Sequence, residues 1–464
     1  MRRDAVHIFT YKDQHLLYDG MTQTLLLIDE VTKAVATLYR TMSFEDMISE
    51  LEGQFSIRDM QEAFEELDDL AKEQAIFYDE ETFLATQKST LPNMALSGLC
   101  LHVVHDCDLR CAYCFAGSGL YGGKPSYMSF EVAKQSIDFL LRQAAYGATL
   151  YIDFFGGEPT LNFAVIKETV AYGNEQAQRS QQMIVWSITT NGYALTDEMM
   201  KFINDNRLNV IVSVDGREQT HDHVRPDRKG RPTHATVIKH AKELYEKRQA
   251  DMNARYGDGV YTYVRGTFTA NNPDFAQDVI ALYEQGFRRI AMEPVVSSPT
   301  GKHLAIQEQH LDEILQQYDR LVDFIAISRD KGDPLYFHHF ELDLNHGPCL
   351  GKRASGCGAG THYLAISPEG DIYPCHQFVG EKSFLMGNVQ EDKLDEQQRH
   401  TFSEANTSQK AKCQTCFARY YCSGGCHANH YYLHGDVMQP DELSCRLIQK
   451  RVEAALYLEA MASL

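Results

Sequence analysis

The sequence predicts an α/β protein built on an open, partial (β/α)6 barrel, with a small module before it and a cysteine-rich region after it. Three observations lead there. Short apolar stretches at 99–105, 150–155, 184–190, 210–215, 262–269 and 290–296 alternate with segments long enough for crossover helices, such as 129–144, 165–178 and 236–247. That alternation implies a parallel sheet with right-handed connections, and six units fall short of the eight of a closed barrel. Polar motifs cluster where those stretches end. The cysteines are segregated: Cys100 and three at 107–114, none between Phe115 and Pro348, and eight after it.

In chain order, residues 1–85 form a separate module. Strands are expected near 7–12, 14–19 and 23–29. Helices follow from Glu30, from Ser43-Phe-Glu-Asp (a capping signature) and over 56–73. Three strands with three helices suit a winged-helix-like module. It is either a plain cap on the barrel or a peptide-binding element using an edge strand and the groove beside a helix. The acidic run 62–73 argues against a DNA-reading wing. Residues 86–97 are expected to be a linker, 98–300 the barrel, 301–346 a helical bridge, 347–450 the cysteine-rich domain and 451–464 a C-terminal helix.

With 464 residues and 44% hydrophobic content, the chain has material for two or three cored domains. A formal net charge of −20 argues against nucleic-acid binding and against adsorption to anionic membranes. No apolar run is long enough to span a bilayer, and the start lacks a secretory h-region, so a cytoplasmic location is expected. Twelve cysteines in that compartment call for metal or cluster ligation at two places rather than a disulfide framework.

Cys107, Cys111 and Cys114 follow the first predicted strand with C-x3-C-x2-C spacing. Three thiolates can hold three irons of a cubane and leave the fourth open, as catalytic sites do; zinc with a distant fourth ligand is the other reading. The next strand ends run into Gly156-Gly157-Glu158-Pro159, Thr190-Asn191-Gly192 and Ser213-Val214-Asp215-Gly216. The last two carry Arg265-Gly266-Thr267 and Met292-Glu293-Pro294. Each could be an ordinary turn, but all fall on the rim where barrel enzymes place their sites.

The cysteine triplet together with Gly156-Gly157-Glu158-Pro159 resembles the radical S-adenosylmethionine (SAM) enzymes over roughly residues 98–300. The resemblance implies a radical SAM barrel with a [4Fe-4S] cluster on Cys107, Cys111 and Cys114. The open iron would be chelated by the methionine moiety of S-adenosyl-L-methionine. It also implies that Gly156, Gly157 and Glu158 meet the cofactor's amino group, and that Asn191, Ser213 and Asp215 meet the ribose hydroxyls or the carboxylate. Arg225 would pair with the carboxylate and Tyr113 pack near the adenine; a surface arginine and a core aromatic are the plainer readings. Cys349, Cys357, Cys375, Cys413, Cys416, Cys422, Cys426 and Cys445 resemble the SPASM extension. That pattern implies two auxiliary [4Fe-4S] clusters, three clusters in all: one on Cys349, Cys357, Cys375 and Cys426, the other on Cys413, Cys416, Cys422 and Cys445. If Cys349 does not bind, one iron stays open for a substrate thiolate. Paired zinc sites are the alternative.

Cys100-Leu-His-Val-Val-His105, Phe115-Ala-Gly-Ser-Gly-Leu-Tyr-Gly-Gly123 and Pro374-Cys-His-Gln-Phe378 are similar to thioether-forming peptide maturases of the SCIFF and ranthipeptide type. The implied function is crosslinking of cysteine sulfur to an acceptor carbon in a ribosomally made, cysteine-containing precursor. Its leader would be held by the N-terminal module, and a low-potential donor such as flavodoxin or ferredoxin would supply electrons. Arg265 and Glu293 are candidates for orienting the substrate, or else a barrel salt bridge. Cys100, His102, His105 and His376 read as packing residues. The alternatives are a SPASM enzyme oxidising a side chain without a thioether, as sulfatase-maturing enzymes do, and a non-catalytic electron carrier, which leaves the Gly-Gly-Glu-Pro loop unexplained.

Overall fold

The computed structural model describes residues 6–77, 95–251, 261–297, 301–342, 344, 356–391 and 393–462. Cys349 and most of the linker expected at 86–97 lie outside them. The first element is an antiparallel sheet of β1 (Val6–Tyr11), β2 (Gln14–Asp19) and β3 (Thr24–Ile28). It is followed by α1 (Glu30–Leu38), α2 (Phe44–Glu50) and α3 (Ile57–Lys72). Side chains of Asp29, Ser43 and Ser56 accept from backbone N–H groups in the first turns of the three helices, which is why each begins where it does. The period of two along β2 divides the sheet's contacts. Leu17 packs with Val35, Met47, Met60 and Leu67 of the helices, whereas Leu16 and Tyr18, with Phe9 and Tyr11 of β1, join the core of the main body.

The main body begins with β4 (Gly98–His105), β5 (Ser126–Tyr127), α4 (Phe130–Gln143), β6 (Thr149–Gly156), α5 (Phe163–Arg179) and β7 (Met183–Thr190). It continues through α6 (Asp197–Asp205), β8 (Asn209–Ser213), α7 (Glu218–Val224), α8 (His234–Asp251), β9 (Thr262–Phe268), α9 (Ala276–Glu284) and β10 (Arg289–Pro294). The strands expected at six places are present, paired in parallel in the order β10-β9-β8-β7-β6-β4. The fourth and sixth end two residues earlier than expected, so Asp215 lies beyond its strand.

The bridge contains α10 (Glu308–Asp330) and β11 (Tyr336–Phe337), which adds to β10 in parallel. The cysteine-rich region is not a detached lobe. Its β12 (Tyr363–Ile366) lies parallel beside β4, and β13 (Asp371–Tyr373), β14 (Gly387–Asn388) and β15 (Lys393–Leu394) continue the same sheet in antiparallel fashion. After them come α11 (Glu396–Glu404), α12 (Arg419–Cys422), α13 (His427–His434) and α14 (Glu442–Ala462). The last helix starts nine residues before the expected 451, because Asp441 accepts from Ser444 N at 2.8 Å; Cys445 is thereby placed in its first turn. Among the described residues no helix is long and apolar enough to cross a membrane.

Candidate active site

The cysteine loop after β4 is bolted to the segment that follows α7. Arg110 N donates to Pro226 O at 2.8 Å, Ala112 N to Val224 O at 2.8 Å, and Arg228 N to Asp108 O at 3.1 Å. The Arg228 side chain donates to Cys107 O at 2.8 Å and to Asp106 Oδ1 at 2.5 Å. Across the loop runs the end of β6. A Cβ on Gly157 would sit 2.0 Å from Asp106 O, and one on Gly156, whose φ is +127°, would sit 2.2 Å from Val104 O. Only glycine lets the two strand ends approach this closely.

A cavity of about 360 Å³ opens on this rim. Its wall includes Cys107, Cys111 and Cys114, and also Tyr113, Gly156, Gly157, Glu158, Asn191, Ser213 and Arg225. Asp215 does not line it. Its carboxylate is fully buried behind Tyr113, accepting from the Tyr113 hydroxyl at 2.7 Å and from Thr267 N at 2.9 Å. Asp215, expected to meet the ribose or the carboxylate, thus stands behind Tyr113 in this structure. Arg225 donates to the same hydroxyl at 2.7 Å, so the Tyr113 hydroxyl bridges the buried acid and the buried base while the residue lines the cavity. The Arg225 Nε is buried in the cavity wall with no hydrogen-bond partner among the described residues.

Glu158 is 1% exposed and ties the ends of β6 and β7 together. It accepts from Asn191 N at 2.7 Å, Thr190 Oγ1 at 2.8 Å and Thr160 Oγ1 at 2.6 Å. Burial, with Asp108 nearby, raises its carboxyl to about 7 against those donors. Asn191 Nδ2 donates to Asp108 Oδ1 at 2.7 Å.

These features fit SAM: a buried guanidinium on the wall for a carboxylate, a glycine backbone and a buried carboxylate for an ammonium, and three thiols for a cluster. Burial raises the Cys111 thiol to about 12, against the nearby Arg225; metal ligation is what makes thiolates in such a place.

The remaining wall carries residues that the motifs did not single out. Asp153, at an inward-facing position of β6, accepts from the Ser187 hydroxyl at 2.8 Å; burial, against Ser187, Thr189 and Arg265, raises its carboxyl to about 6. The signal was available: one acidic residue inside an otherwise apolar strand. Tyr121, Tyr363, His376 and Gln377 close the other side. His376 packs at 5.1 Å from the Phe155 ring, and His102 Nδ1 lies 3.2 Å from His105 Nε2 within the β4 wall. Cys100 is fully buried.

Arg265 and Glu293 line both this cavity and a second one of about 810 Å³, which shares Pro294, Val295, Val296 and Gln377. Glu293 is ion-paired with His339, not with Arg265. Its Oε2 is 2.9 Å from His339 Nε2, and against the cost of burial His339, Arg265 and Arg451 hold its carboxyl well below the usual range. The second cavity is walled by Cys357, Cys413, Cys416, Cys422, Cys426 and Cys445.

The C-terminal thiols fall into two neighbourhoods. The Cys375 thiol is influenced by Cys426 and Cys357, and the Cys422 and Cys445 thiols by their neighbours within Cys413, Cys416, Cys422 and Cys445. All eleven described cysteines are free of disulfides.

Residues 101–251 match the radical SAM superfamily, and residues 357–417 match the SPASM iron-sulfur cluster-binding domain. With the parallel sheet and its rim, they define a radical SAM enzyme fold carrying a C-terminal SPASM domain, and SAM and iron–sulfur binding go with those two domains. Among curated proteins, the chain is 26% identical over 352 residues to a serine-type anaerobic sulfatase-maturating enzyme of Bacteroides thetaiotaomicron, covering 70% of this chain and 81% of that one. It is 26% identical over 345 residues to the mycofactocin maturase MftC of Mycolicibacterium smegmatis, covering 72% and 79%. The fold is similar to that of anSMEcpe with bound AdoMet and Cp18Cys peptide (TM-score 0.63, 22% identity, 79% of this chain and 99% of that one). It is also similar to Streptococcus suis SuiB bound to precursor peptide SuiA (TM-score 0.53, 17% identity, 95% and 98%).

Proposed function

We propose that the protein is a radical SAM peptide maturase that joins cysteine sulfur to an acceptor-residue carbon in a ribosomally made precursor. The observation that carries this reading is the continuity of the two cavities. The pocket beside Cys107, Cys111 and Cys114 shares a wall, including Arg265 and Glu293, with a chamber lined by the C-terminal cysteines. When bound, SAM and its cluster supply a hydrogen-abstracting adenosyl radical. The chain does the rest. Arg225 holds the cofactor carboxylate, while Gly156, Gly157 and Glu158 receive its ammonium. Asn191 and Ser213 face the ribose, with Tyr113 kept in place by Asp215. Phe115, Phe155 and Tyr121 exclude water from the reacting centre. Arg265 and the ionised Glu293 orient the peptide at the junction.

Making a C–S bond from C–H and S–H removes one hydrogen atom, plus a proton and an electron. An electron acceptor must therefore lie near the peptide, and the two C-terminal cysteine sets are where auxiliary [4Fe-4S] clusters would hold that place. Cys349 is proposed as the fourth ligand of the set Cys357, Cys375 and Cys426. The module of β1–β3 and α1–α3 is proposed to bind the leader; the likeness to SuiB, a protein seen with its precursor, extends over 95% of this chain and so takes in that module. A low-potential flavodoxin or ferredoxin is the proposed donor.

A second reading, oxidation of a side chain without a thioether, is favoured by the sulfatase-maturating relatives. Co-expression with a neighbouring short cysteine-rich reading frame, then alkylation and mass spectrometry, separates the two. Thioether formation leaves the crosslinked sulfurs unreactive, whereas a product lighter by two hydrogens whose cysteines all alkylate selects the second reading. Replacing Cys107, Cys111 and Cys114 with alanine is expected to abolish 5′-deoxyadenosine formation; persistent formation sinks the radical assignment. Anaerobic reconstitution is expected to give about twelve irons per chain, and zinc with only about four irons refutes the auxiliary clusters.

A further inference from the structure

Lys410 precedes the four-cysteine set and is 1% exposed. Its Nζ donates to Gly424 O at 2.8 Å and lies 3.5 Å from Nδ1 of both His427 and His430. Gly424 belongs to the loop between Cys422 and Cys426, which is the stretch that passes from one cysteine set to the other. The neighbours able to carry negative charge beside the ammonium come from both sets: Cys413 and Cys422 from one, Cys426 and Cys357 from the other. Burial lowers the Lys410 pKa, and the four thiols work against that. Bound to iron as thiolates, the same sulfurs hold the lysine proton more firmly.

A fixed cation in a water-poor site acts strongly on any charge that develops beside it. The reduction potential of an iron–sulfur cluster depends on the net charge, hydrogen bonding and solvent exposure around it. We propose that Lys410 is an electrostatic positioning residue shared by the two auxiliary clusters, its ammonium favouring the reduced form of both and so setting how readily they take an electron. This rests on the auxiliary-cluster reading above. It is independent of which bond the enzyme makes.

The test uses full-length protein reconstituted anaerobically, with iron counted and each cluster titrated potentiometrically by electron paramagnetic resonance. Lys410→Met is expected to keep about twelve irons. Both auxiliary midpoints are expected to move to more negative potential, while the cluster on Cys107, Cys111 and Cys114 stays where it was. Lys410→Arg is expected to keep the wild-type potentials. Unchanged auxiliary potentials in Lys410→Met, or a shift in one auxiliary cluster alone, overturns the proposal while leaving the clusters standing. Lys410→Gln, which retains a donor for Gly424 O, covers the case in which the methionine variant does not assemble. Loss of the auxiliary clusters in both neutral variants assigns Lys410 to assembly and overturns the redox role. Wild-type protein with only about four irons overturns this proposal together with the cluster reading.

Discussion

At the scale of single residues, the most exacting position is Arg225, whose buried Nε has no partner among the described residues while another of its nitrogens holds Tyr113. A charge-assisted hydrogen bond to a carboxylate contributes roughly 1.5–3 kcal/mol. Arg225→Met is therefore expected to weaken SAM binding by at least about tenfold in equilibrium dialysis of the reconstituted protein. Glu158 gives a pH signature. Its carboxyl is raised from 4.5 to about 7, so the folded chain binds the proton more tightly than the unfolded chain. The resulting stabilisation is complete below about pH 4.5 and is lost as pH rises through about 7. Thermal midpoints of the cluster-free protein, measured from about pH 5 to about pH 7.5, are expected to show a weaker decline for Glu158→Gln than for wild type. An identical decline in both would remove Glu158 from that role. The cysteines and the Gly-Gly-Glu-Pro loop were legible in the sequence because cluster ligation and close backbone approach impose short local spacings. The mutual contact of Tyr113, Arg225 and Asp215, each named on its own from the sequence, was not, because Tyr113 meets the other two across more than a hundred residues.

At the scale of elements, short apolar runs located the strands, and segment length, with a capping signature at Ser43, located the helices. The expected sites of β4, β6, β7, β8, β9 and β10 agree with the structure to within about two residues, the usual uncertainty of element ends. What the pattern did not reveal was β12. Tyr363–Ile366 is too short to stand out as a strand, and its place beside β4 depends on an edge that local sequence does not describe. The contact between β4 and β6 supports a sharp expectation. Gly157→Ala puts a methyl 2.0 Å from Asp106 O, so one of the two strand ends must move and take the cysteine loop with it. Iron per chain is expected to fall by about four of twelve, with the auxiliary clusters retained; a full iron count would show that the loop tolerates the shift. A milder change is Ser129→Ala, which removes the acceptor for Val132 N at the start of α4 and is expected to cost about 1 kcal/mol. Urea unfolding of the cluster-free protein measures it.

At the scale of the whole molecule, the N-terminal module is integral rather than appended. His7 stacks on Phe417 with ring centres 3.6 Å apart and lies 2.9 Å from Glu453, and Tyr11 bonds Asp319. Phe9, Tyr11, Leu16 and Tyr18 belong to the core of the barrel body. Deleting residues 1–77 is expected to uncover that apolar surface and cause aggregation on size-exclusion chromatography, beyond any loss of peptide binding. A monodisperse truncated enzyme would show the module to be dispensable for folding. The pairing of β12 with β4 has a consequence for how the molecule is made. Ser97 N and Gly98 N both donate to His362 O, at 2.9 and 3.0 Å, across more than 260 residues of chain. During synthesis the Gly98–Leu101 edge of the strand that leads into the cysteine triplet therefore lacks its partner until the ribosome has delivered the whole barrel and the bridge after it. Iron loading before then would act on a half-finished sheet, so cluster delivery is best timed after release of the C-terminal region.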